Sequence, residues 1–198
     1  ELFERAFRFH DVGVASRAFN EEIGTGMLAG FASCNFRMNE FTGAVLRGQL
    51  QKLETILATL RTNAKKVRDG IADLPGLKLR ESGDIEGDLG MRVFLDMANR
   101  QQRDQFLRAI RAEGISAAGP GGSAILPIAT RIETKATIHP DWPSFSSPRG
   151  REIQYGAACC PRTIDIIDRY AGVRMGPKYT DQDVADIIAA IRKVYSAM

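Results

Sequence analysis

The sequence contains few cysteines and histidines, the residues that form disulfide bonds and bind zinc. Its three cysteines, Cys34, Cys159 and Cys160, are an odd number, and two of them are adjacent. A disulfide framework uses an even number of spaced cysteines, and a zinc site uses Cys-x-x-Cys pairs or clustered histidines. Because the chain has only two histidines, we expect neither. Reduced thiols are typical of the cytoplasm, which is the compartment that the sequence predicts.

Long apolar runs are also absent, and none approaches the roughly 20 residues of a membrane span. The first residues are charged and carry no signal peptide or initiator methionine, so we expect Glu1 to lie inside a longer gene product or to be exposed by processing. Charge is nearly balanced at +3. Residues 37–80 hold nine Lys or Arg and four Asp or Glu, but no aromatic interleaving or nucleic-acid motif. We therefore predict neither a nucleic-acid nor a membrane partner.

What the 198 residues do contain is a globular composition, with 44% hydrophobic and 26% charged residues, and one long amphipathic stripe. Apolar side chains recur at steps of three and four from Leu46 to Leu74, which predicts a helix over 39–74 that ends at Pro75-Gly76. At about 1.5 Å per residue this helix would be roughly 50 Å long. A helix of that length spans a domain or runs along a subunit interface.

A small α+β layer is predicted after this helix. Two antiparallel strands (77–80 and 91–97) precede a helix over 100–113, which Asn99 and Gln102 can cap, and a strand over 115–118 follows. The predicted elements nearer the end are a helix from Pro161 to Tyr170, a strand over 172–175 and a helix opened by a Thr180–Asp183 capping box. Residues 119–150 are rich in glycine and proline and predict a surface or active-site loop.

The run Asn35-Phe36-Arg37-Met38-Asn39-Glu40, followed by Gly48-Gln49-Leu50, resembles the DegT/DnrJ/StrS aminotransferase family. In that family a loop with Asn-x-Arg-Met-x-Glu leads into a long helix. Residues 1–6 are similar to the helix after the family's Gly-Glu-Gly-Gly turn, and residues 160–163 and 179–184 match its last helices. The likeness is strongest to the branch of aminohydroxybenzoate synthases and cyclitol aminotransferases, and it is weakest over 119–150.

The resemblance implies an α/β fold, namely the C-terminal part of an aspartate-aminotransferase-like, pyridoxal-phosphate-dependent transferase. Residues 1–38 would end the large cofactor domain, 39–74 would form a connecting helix, and 75–198 a small α+β domain. It further implies an enzyme of sugar, cyclitol or antibiotic biosynthesis that moves an amino group from glutamate or glutamine to a keto-sugar or keto-cyclitol. A homodimer through the long helix and the Asn35 loop is implied as well.

Pyridoxal phosphate needs a Schiff-base lysine and a carboxylate at its pyridine nitrogen. In the family both precede the position that matches Glu1, and no lysine here follows the family's Ser-x-x-Lys pattern. The resemblance therefore implies a partner, the lysine-bearing N-terminal half, and no catalytic residue in this chain. The missing lysine also leaves a second hypothesis open, a non-catalytic interaction module that keeps the small domain.

By motif match, Asn35 would contact the cofactor phosphate of the neighbouring subunit, because an amide is a suitable donor to phosphate oxygens. Arg37 would add charge near the phosphate or substrate, or hold the loop by pairing with Glu40. His139, in the variable loop, is a candidate substrate contact, although a lone loop histidine is more often simply exposed. Cys159 and Cys160 precede a helix but have no neighbouring base in sequence, so we expect small packed thiols.

Overall fold

The computed structural model describes residues 2–10, 31–33, 38–120, 125–137, 139, 141 and 143–198. Within these residues the helices are α1 Leu2–His10, α2 Glu40–Leu50, α3 Leu53–Ile71, α4 Arg100–Ala112, α5 Thr130–Glu133, α6 Pro143–Ser146, α7 Pro148–Glu152, α8 Pro161–Arg169 and α9 Asp181–Ser196. The strands are β1 Lys78–Leu79, β2 Arg92–Asp96, β3 Ala117–Ala118 and β4 Tyr170–Arg174.

Contacts divide the chain into two compact units. One combines residues 1–43 with 123–164, and the other combines 44–122 with 165–198. This division differs from the predicted boundaries at residues 38 and 74, since residues 123–164 are grouped with the N-terminal segment. The predicted boundaries concern the domains of a whole enzyme, and they stay a prediction.

The predicted single helix over 39–74 is two helices, α2 and α3, separated by a turn at Gln51 and Lys52. The Lys52 N–H donates to the Gln49 carbonyl at 3.0 Å, which tightens the end of α2. Gly48 lies in the last turn of α2, and it would cost roughly 0.5–1 kcal/mol relative to alanine in the interior of one continuous helix. None of the residues of α2 is buried, so no packing offsets that cost in this chain.

The second unit holds a four-stranded antiparallel sheet in the order β1-β2-β4-β3. Val93 pairs with Val173, and Leu95 pairs with Ala171. All four of these side chains are fully buried. Because alternate residues of a strand point to the same face, they form one apolar face of the sheet. The antiparallel pair and the β-β-α-β order that the sequence predicted are therefore confirmed.

Three helices of the second unit contribute to the core that includes this face. On α3 the buried positions Leu60, Ala64, Val67 and Ile71 recur at helical spacing. The other buried helical side chains are Phe106, Leu107 and Ile110 on α4, and Val184, Ile187, Ala190, Ile191 and Val194 on α9. At about 25 cal/mol per Å² of buried apolar area, this core is the main stabilising contribution to the unit.

The two predicted helix caps are confirmed. Asn99 accepts the Gln102 N–H at 2.9 Å, and the Gln102 side chain accepts the Ala98 N–H at 2.7 Å. Thr180 and Asp183 form the reciprocal capping box of α9, with the Thr180 N–H donating to the Asp183 carboxylate at 2.7 Å. Each cap satisfies backbone donors that a helix leaves unpaired at its first turn.

The segment predicted as an irregular loop, residues 119–150, contains much regular structure. A 3-10 helix over Leu126–Ile128 is followed by α5, α6 and the start of α7. The low regular pattern expected for this segment is therefore wrong in part, while its place at the surface or the active site stays a prediction. These helices have three to five residues, which is too short for an apolar period to show in the sequence.

Candidate active site

The loop that carries the family motif is described only at its two ends. Asn35 and Arg37, predicted to contact the cofactor, and Cys34 lie outside the described residues. The pairing of Arg37 with Glu40 lies outside them for the same reason. The roles of Asn35 and Arg37 therefore stay predictions, and the structure describes the residues on either side, 31–33 and 38 onwards.

On the N-terminal side, residues 31–33 are tied to two other segments of the first unit. Phe31 is buried, with 5% of its surface exposed. The Ala32 N–H donates to the Ala136 carbonyl at 2.9 Å, and the Ser33 hydroxyl donates to the Phe9 carbonyl at the end of α1 at 3.0 Å. The chain thus enters the motif loop from a fixed point beside Ala136.

On the C-terminal side, Asn39 caps α2. Its side-chain oxygen accepts the Thr42 N–H at 2.8 Å, and its carbonyl accepts the Gly43 N–H at 3.0 Å. Glu40 occupies the first turn of α2, where a carboxylate is favourable beside the positive end of the helix dipole. The helix that the sequence predicts from residue 39 therefore begins at Glu40, capped by Asn39.

His139 lies on an exposed turn between α5 and α6. Its Nδ1 accepts the Asp141 N–H at 3.1 Å, and its carbonyl accepts the Thr137 hydroxyl at 2.6 Å. Since Nδ1 is an acceptor, the proton of the neutral imidazole lies on Nε2. The side chain is 66% exposed. His139 is connected to the Ala32–Ala136 contact by a three-residue segment, and its substrate role stays a prediction.

Lys135, in the variable loop, has a structural role that its sequence context does not indicate. Its φ is +54°, in the left-handed region. Its N–H donates to the Ile132 carbonyl at 3.0 Å, and the Ala136 N–H donates to the Arg131 carbonyl at 2.9 Å. This is the Schellman pattern that ends a helix, with lysine where glycine is usual. The ammonium donates to the Gly150 and Arg151 carbonyls, both at 2.9 Å. No glycine marks the position, so the sequence held no signal of it.

The described residues do not fit covalent attachment of pyridoxal phosphate. All seven lysines of the sequence are described, and Schiff-base chemistry needs one of them as an enclosed free amine. Four have oxygen partners within 2.9 Å: Lys65, Lys66, Lys135 and Lys193. The other three, Lys52, Lys78 and Lys178, are exposed. The described residues can therefore contribute only non-covalent contacts to a cofactor or substrate.

Thiols and metal ligands add nothing to the site in the described part of the chain. Cys159 is exposed and donates through Sγ to the Gln154 carbonyl at 2.9 Å, and Cys160 is half-buried. The expectation of packed thiols is therefore wrong for Cys159. Among the described residues no group of three or more potential metal ligands comes together, and none of their helices is long and apolar enough to cross a membrane.

A family model described as the DegT/DnrJ/EryC1/StrS aminotransferase family matches residues 1–119. That match includes α1, the motif loop, both halves of the long helical segment and strands β1 to β3. The chain belongs to this family. This match confirms the predicted family, and pyridoxal phosphate is the cofactor of that aminotransferase family.

Solved structures with the same fold extend over nearly the whole chain. 3-Amino-5-hydroxybenzoic acid synthase is 17% identical with a TM-score of 0.57, over 99% of this chain and 47% of that one. DesV from S. venezuelae, in complex with a ketimine intermediate, is 19% identical with a TM-score of 0.55, over 97% and 43%. A putative sugar aminotransferase from Streptococcus pneumoniae, in its PMP form, is 12% identical with a TM-score of 0.56, over 96% and 44%.

These structures confirm the fold class, the C-terminal part of an aspartate-aminotransferase-like fold. The DegT-family chain spans less than half of the length of each of these three proteins. Because they cover 96–99% of this chain, their likeness extends well beyond residue 119, where the family match ends.

Proposed function

We propose that this chain is the C-terminal part of a pyridoxal-phosphate-dependent aminotransferase that moves an amino group from glutamate or glutamine to a keto-sugar or keto-cyclitol. The family match over residues 1–119 carries this proposal. Two of the solved structures with the same fold are named as 3-amino-5-hydroxybenzoic acid synthase and as a putative sugar aminotransferase, which supports a cyclic, polar acceptor. The enzyme acts in the cytoplasm.

In this enzyme residues 1–38 belong to the cofactor domain, 39–74 connect the domains, and 75–198 form the small domain. Asn35 donates to the phosphate of the cofactor held by the neighbouring subunit, and Arg37 adds positive charge beside it or holds the loop. His139 contacts the acceptor through Nε2–H. The lysine that holds the cofactor belongs to the N-terminal half, so this chain contributes binding and orientation.

The enzyme is a homodimer through the helical segment and the Asn35 loop. The support is the apolar character of α2, none of whose residues is buried. Exposed fractions are 82% for Phe41, 53% for Val45 and 65% for Leu50. Large exposed apolar patches are typical of interfaces. In the complete protein this surface is covered by the N-terminal half and the second subunit.

The position of the cofactor lysine tests the main proposal. The complete protein is treated with borohydride to reduce the internal imine, and its peptides are analysed by mass. We expect the pyridoxyl group on a lysine that precedes residue 1 of this chain. A pyridoxyl group on any of the seven lysines here, or on none, would contradict it.

A second measurement tests the contribution of Asn35. Asn35→Ala should weaken cofactor binding about tenfold or more, since a hydrogen bond to a charged group contributes roughly 1.5–3 kcal/mol. Asn99→Ala, which removes a helix cap in the other unit, is the matched control and should leave cofactor affinity unchanged. Equal affinities in wild type and Asn35→Ala would remove Asn35 from the phosphate site.

The exposed surface of α2 also suits a non-catalytic interaction module that keeps the small domain. The same samples distinguish the two functions. A complete protein that carries no cofactor and transfers no amine from glutamate or glutamine, yet forms a stable complex, would favour the interaction module.

A further inference from the structure

Among the described residues Lys135 is the one non-glycine residue with a positive φ. Side chains other than glycine are strained in this left-handed conformation, and such strain persists only where the surroundings enforce it. Strained residues of this kind concentrate at functional sites, so an observed outlier calls for a role. Glycine would end α5 at this position with less strain, so the lysine side chain must supply something that glycine lacks.

What it supplies is a bond between two helices of the first unit. The Lys135 ammonium binds the carbonyls of Gly150 and Arg151, which belong to the last turn of α7. A helix end leaves its last carbonyls unpaired, and a cation there is favourable to the helix dipole. Gly150 is buried against α6, where an added Cβ would lie 2.4 Å from the Ser144 carbonyl oxygen. Lys135 therefore joins α5 to the packed pair α6 and α7.

The next residue carries this connection to the motif loop. The carbonyl of Ala136 accepts the N–H of Ala32 at 2.9 Å, and Ser33 is bound in turn to Phe9. Asn35 follows Ala32 by three residues, and His139 follows Ala136 by three. At 3.3–3.6 Å per residue, the covalent chain keeps each of them within about 11 Å of the Ala32–Ala136 bond.

We propose that Lys135 is a positioning residue, which holds Ala136 where it fixes Ala32 and thereby sets the point from which the Asn35 loop starts. Its functional consequence rests on the proposed function, in which Asn35 contacts the cofactor phosphate. Because Lys135 acts on the loop and not on the reacting atoms, its loss should loosen cofactor binding without removing any chemical group from the site.

Three substitutions in the complete holoenzyme separate the ammonium from the backbone strain. Lys135→Ala removes the ammonium and keeps a strained φ, Lys135→Gly removes both, and Lys135→Arg keeps a cation. Lys193→Ala is the matched control, since the Lys193 ammonium also binds two oxygens at 2.9 Å, those of Glu113 in the other unit.

The first readout is amide hydrogen exchange at Ala32. We expect exchange about tenfold faster in Lys135→Ala and in Lys135→Gly, as each loses charge-assisted hydrogen bonds. Lys135→Arg should recover most of the protection, and Lys193→Ala should match wild type. Wild-type protection of Ala32 in Lys135→Gly would overturn the positioning role, because it would show that the ammonium holds nothing.

The second readout is the dissociation rate of pyridoxal phosphate from the same variants. We expect it to rise several-fold in Lys135→Ala and Lys135→Gly, and to stay unchanged in Lys193→Ala. Faster exchange at Ala32 with an unchanged dissociation rate would overturn the link to the cofactor. If wild type carries no pyridoxal phosphate, the proposed function fails, while exchange at Ala32 still decides whether Lys135 positions that segment.

Discussion

Arg192 binds Asp73 with both of its terminal nitrogens. Nη1 lies 2.5 Å from Oδ1 and Nη2 lies 2.8 Å from Oδ2, and Nη1 also donates to the Gly70 carbonyl at 2.9 Å. Arg192 is on α9, and Asp73 follows the end of α3, so one guanidinium joins the ends of two core helices. A bidentate pair of this kind has the geometry in which arginine and carboxylate interact best.

This pair predicts a specific dependence of stability on pH. The hydrogen bond from Arg192 is the main cause that lowers the pKa of Asp73 below its usual value. Because the pKa is lower in the folded protein, the ionised carboxylate stabilises it above the unfolded pKa, and this contribution is lost as pH falls through the folded pKa. Asp73→Asn should therefore be less stable than wild type near neutral pH, and the difference should shrink in acid.

Urea unfolding at about pH 7 and about pH 3, on either side of the usual aspartate pKa, measures this difference. Asp186→Asn is the control, because the Asp186 carboxylate accepts from the neutral amide of Gln182 at 2.8 Å. A difference between wild type and Asp73→Asn that stays the same at both pH values would contradict the predicted linkage.

Gly90 predicts a large effect from a single methyl group. Its φ is +70°, and an added Cβ would lie 2.8 Å from the Arg61 nitrogen and the Leu60 carbonyl group of α3. Gly90→Ala should destabilise the protein by roughly 2–4 kcal/mol, from left-handed strain and the backbone collision together.

Gly114→Ala separates backbone strain from steric collision, the two causes of the expected destabilisation by Gly90→Ala. Gly114 has a φ of +84° and nothing within 4 Å of an added Cβ. Its substitution should cost about 1–2 kcal/mol, the strain alone. Chemical denaturation of both variants gives the comparison, and equal losses of unfolding free energy would show that the contact with α3 contributes nothing.

We expect removal of the Asn39 side chain, which caps α2, to lower the unfolding free energy measurably. Its side chain accepts the Thr42 N–H at 2.8 Å, and replacing such a cap by alanine costs about 1 kcal/mol. Asn39→Ala should lower the unfolding free energy by this amount, and Asn39→Asp should retain most of it. Hydrogen exchange at Thr42 locates the effect, and unchanged protection there in Asn39→Ala would exclude a capping role.

We expect substitution of His139 to change the KM for the acceptor and not the KM for the amino donor. If Nε2–H binds the acceptor, His139→Ala should raise the KM for the acceptor about three- to tenfold, the range for one neutral hydrogen bond. The KM for the donor should stay unchanged. Asp141→Ala, which keeps the backbone N–H that binds Nδ1, is the control, and an unchanged acceptor KM in His139→Ala would remove His139 from the site.

Much of the second unit could be predicted from the sequence because its signals are local and repeated. The spacing of Leu60, Ala64, Val67 and Ile71 indicates a buried helical face, and the Thr180–Asp183 box marks the start of α9. Each pattern repeats between residues that are only a few positions apart, so it can be recognised in the sequence without knowledge of tertiary contacts. The family motif at Asn35 to Glu40 is local in the same way, and it led to the fold and the enzyme class.

The first unit was predicted poorly because its structure depends on contacts between distant residues. Nothing in the sequence near Lys135 indicates that it ends a helix, since its partners Gly150 and Arg151 are some 15 residues away. The break between α2 and α3 was missed for a related reason. The apolar stripe continues through it, while no residue of α2 is buried in this chain.

Neighbouring residues encode the family motif, the alternation of strands and helices in the sheet unit, and the caps, so these could be predicted from the sequence. The contact between Ala32 and Ala136, and the bond from Lys135 to the end of α7, are visible only in the folded structure. A hydrogen bond across more than 100 residues leaves no periodic trace in the chain. It forms because folding brings together two backbone groups that would otherwise have to bond to water.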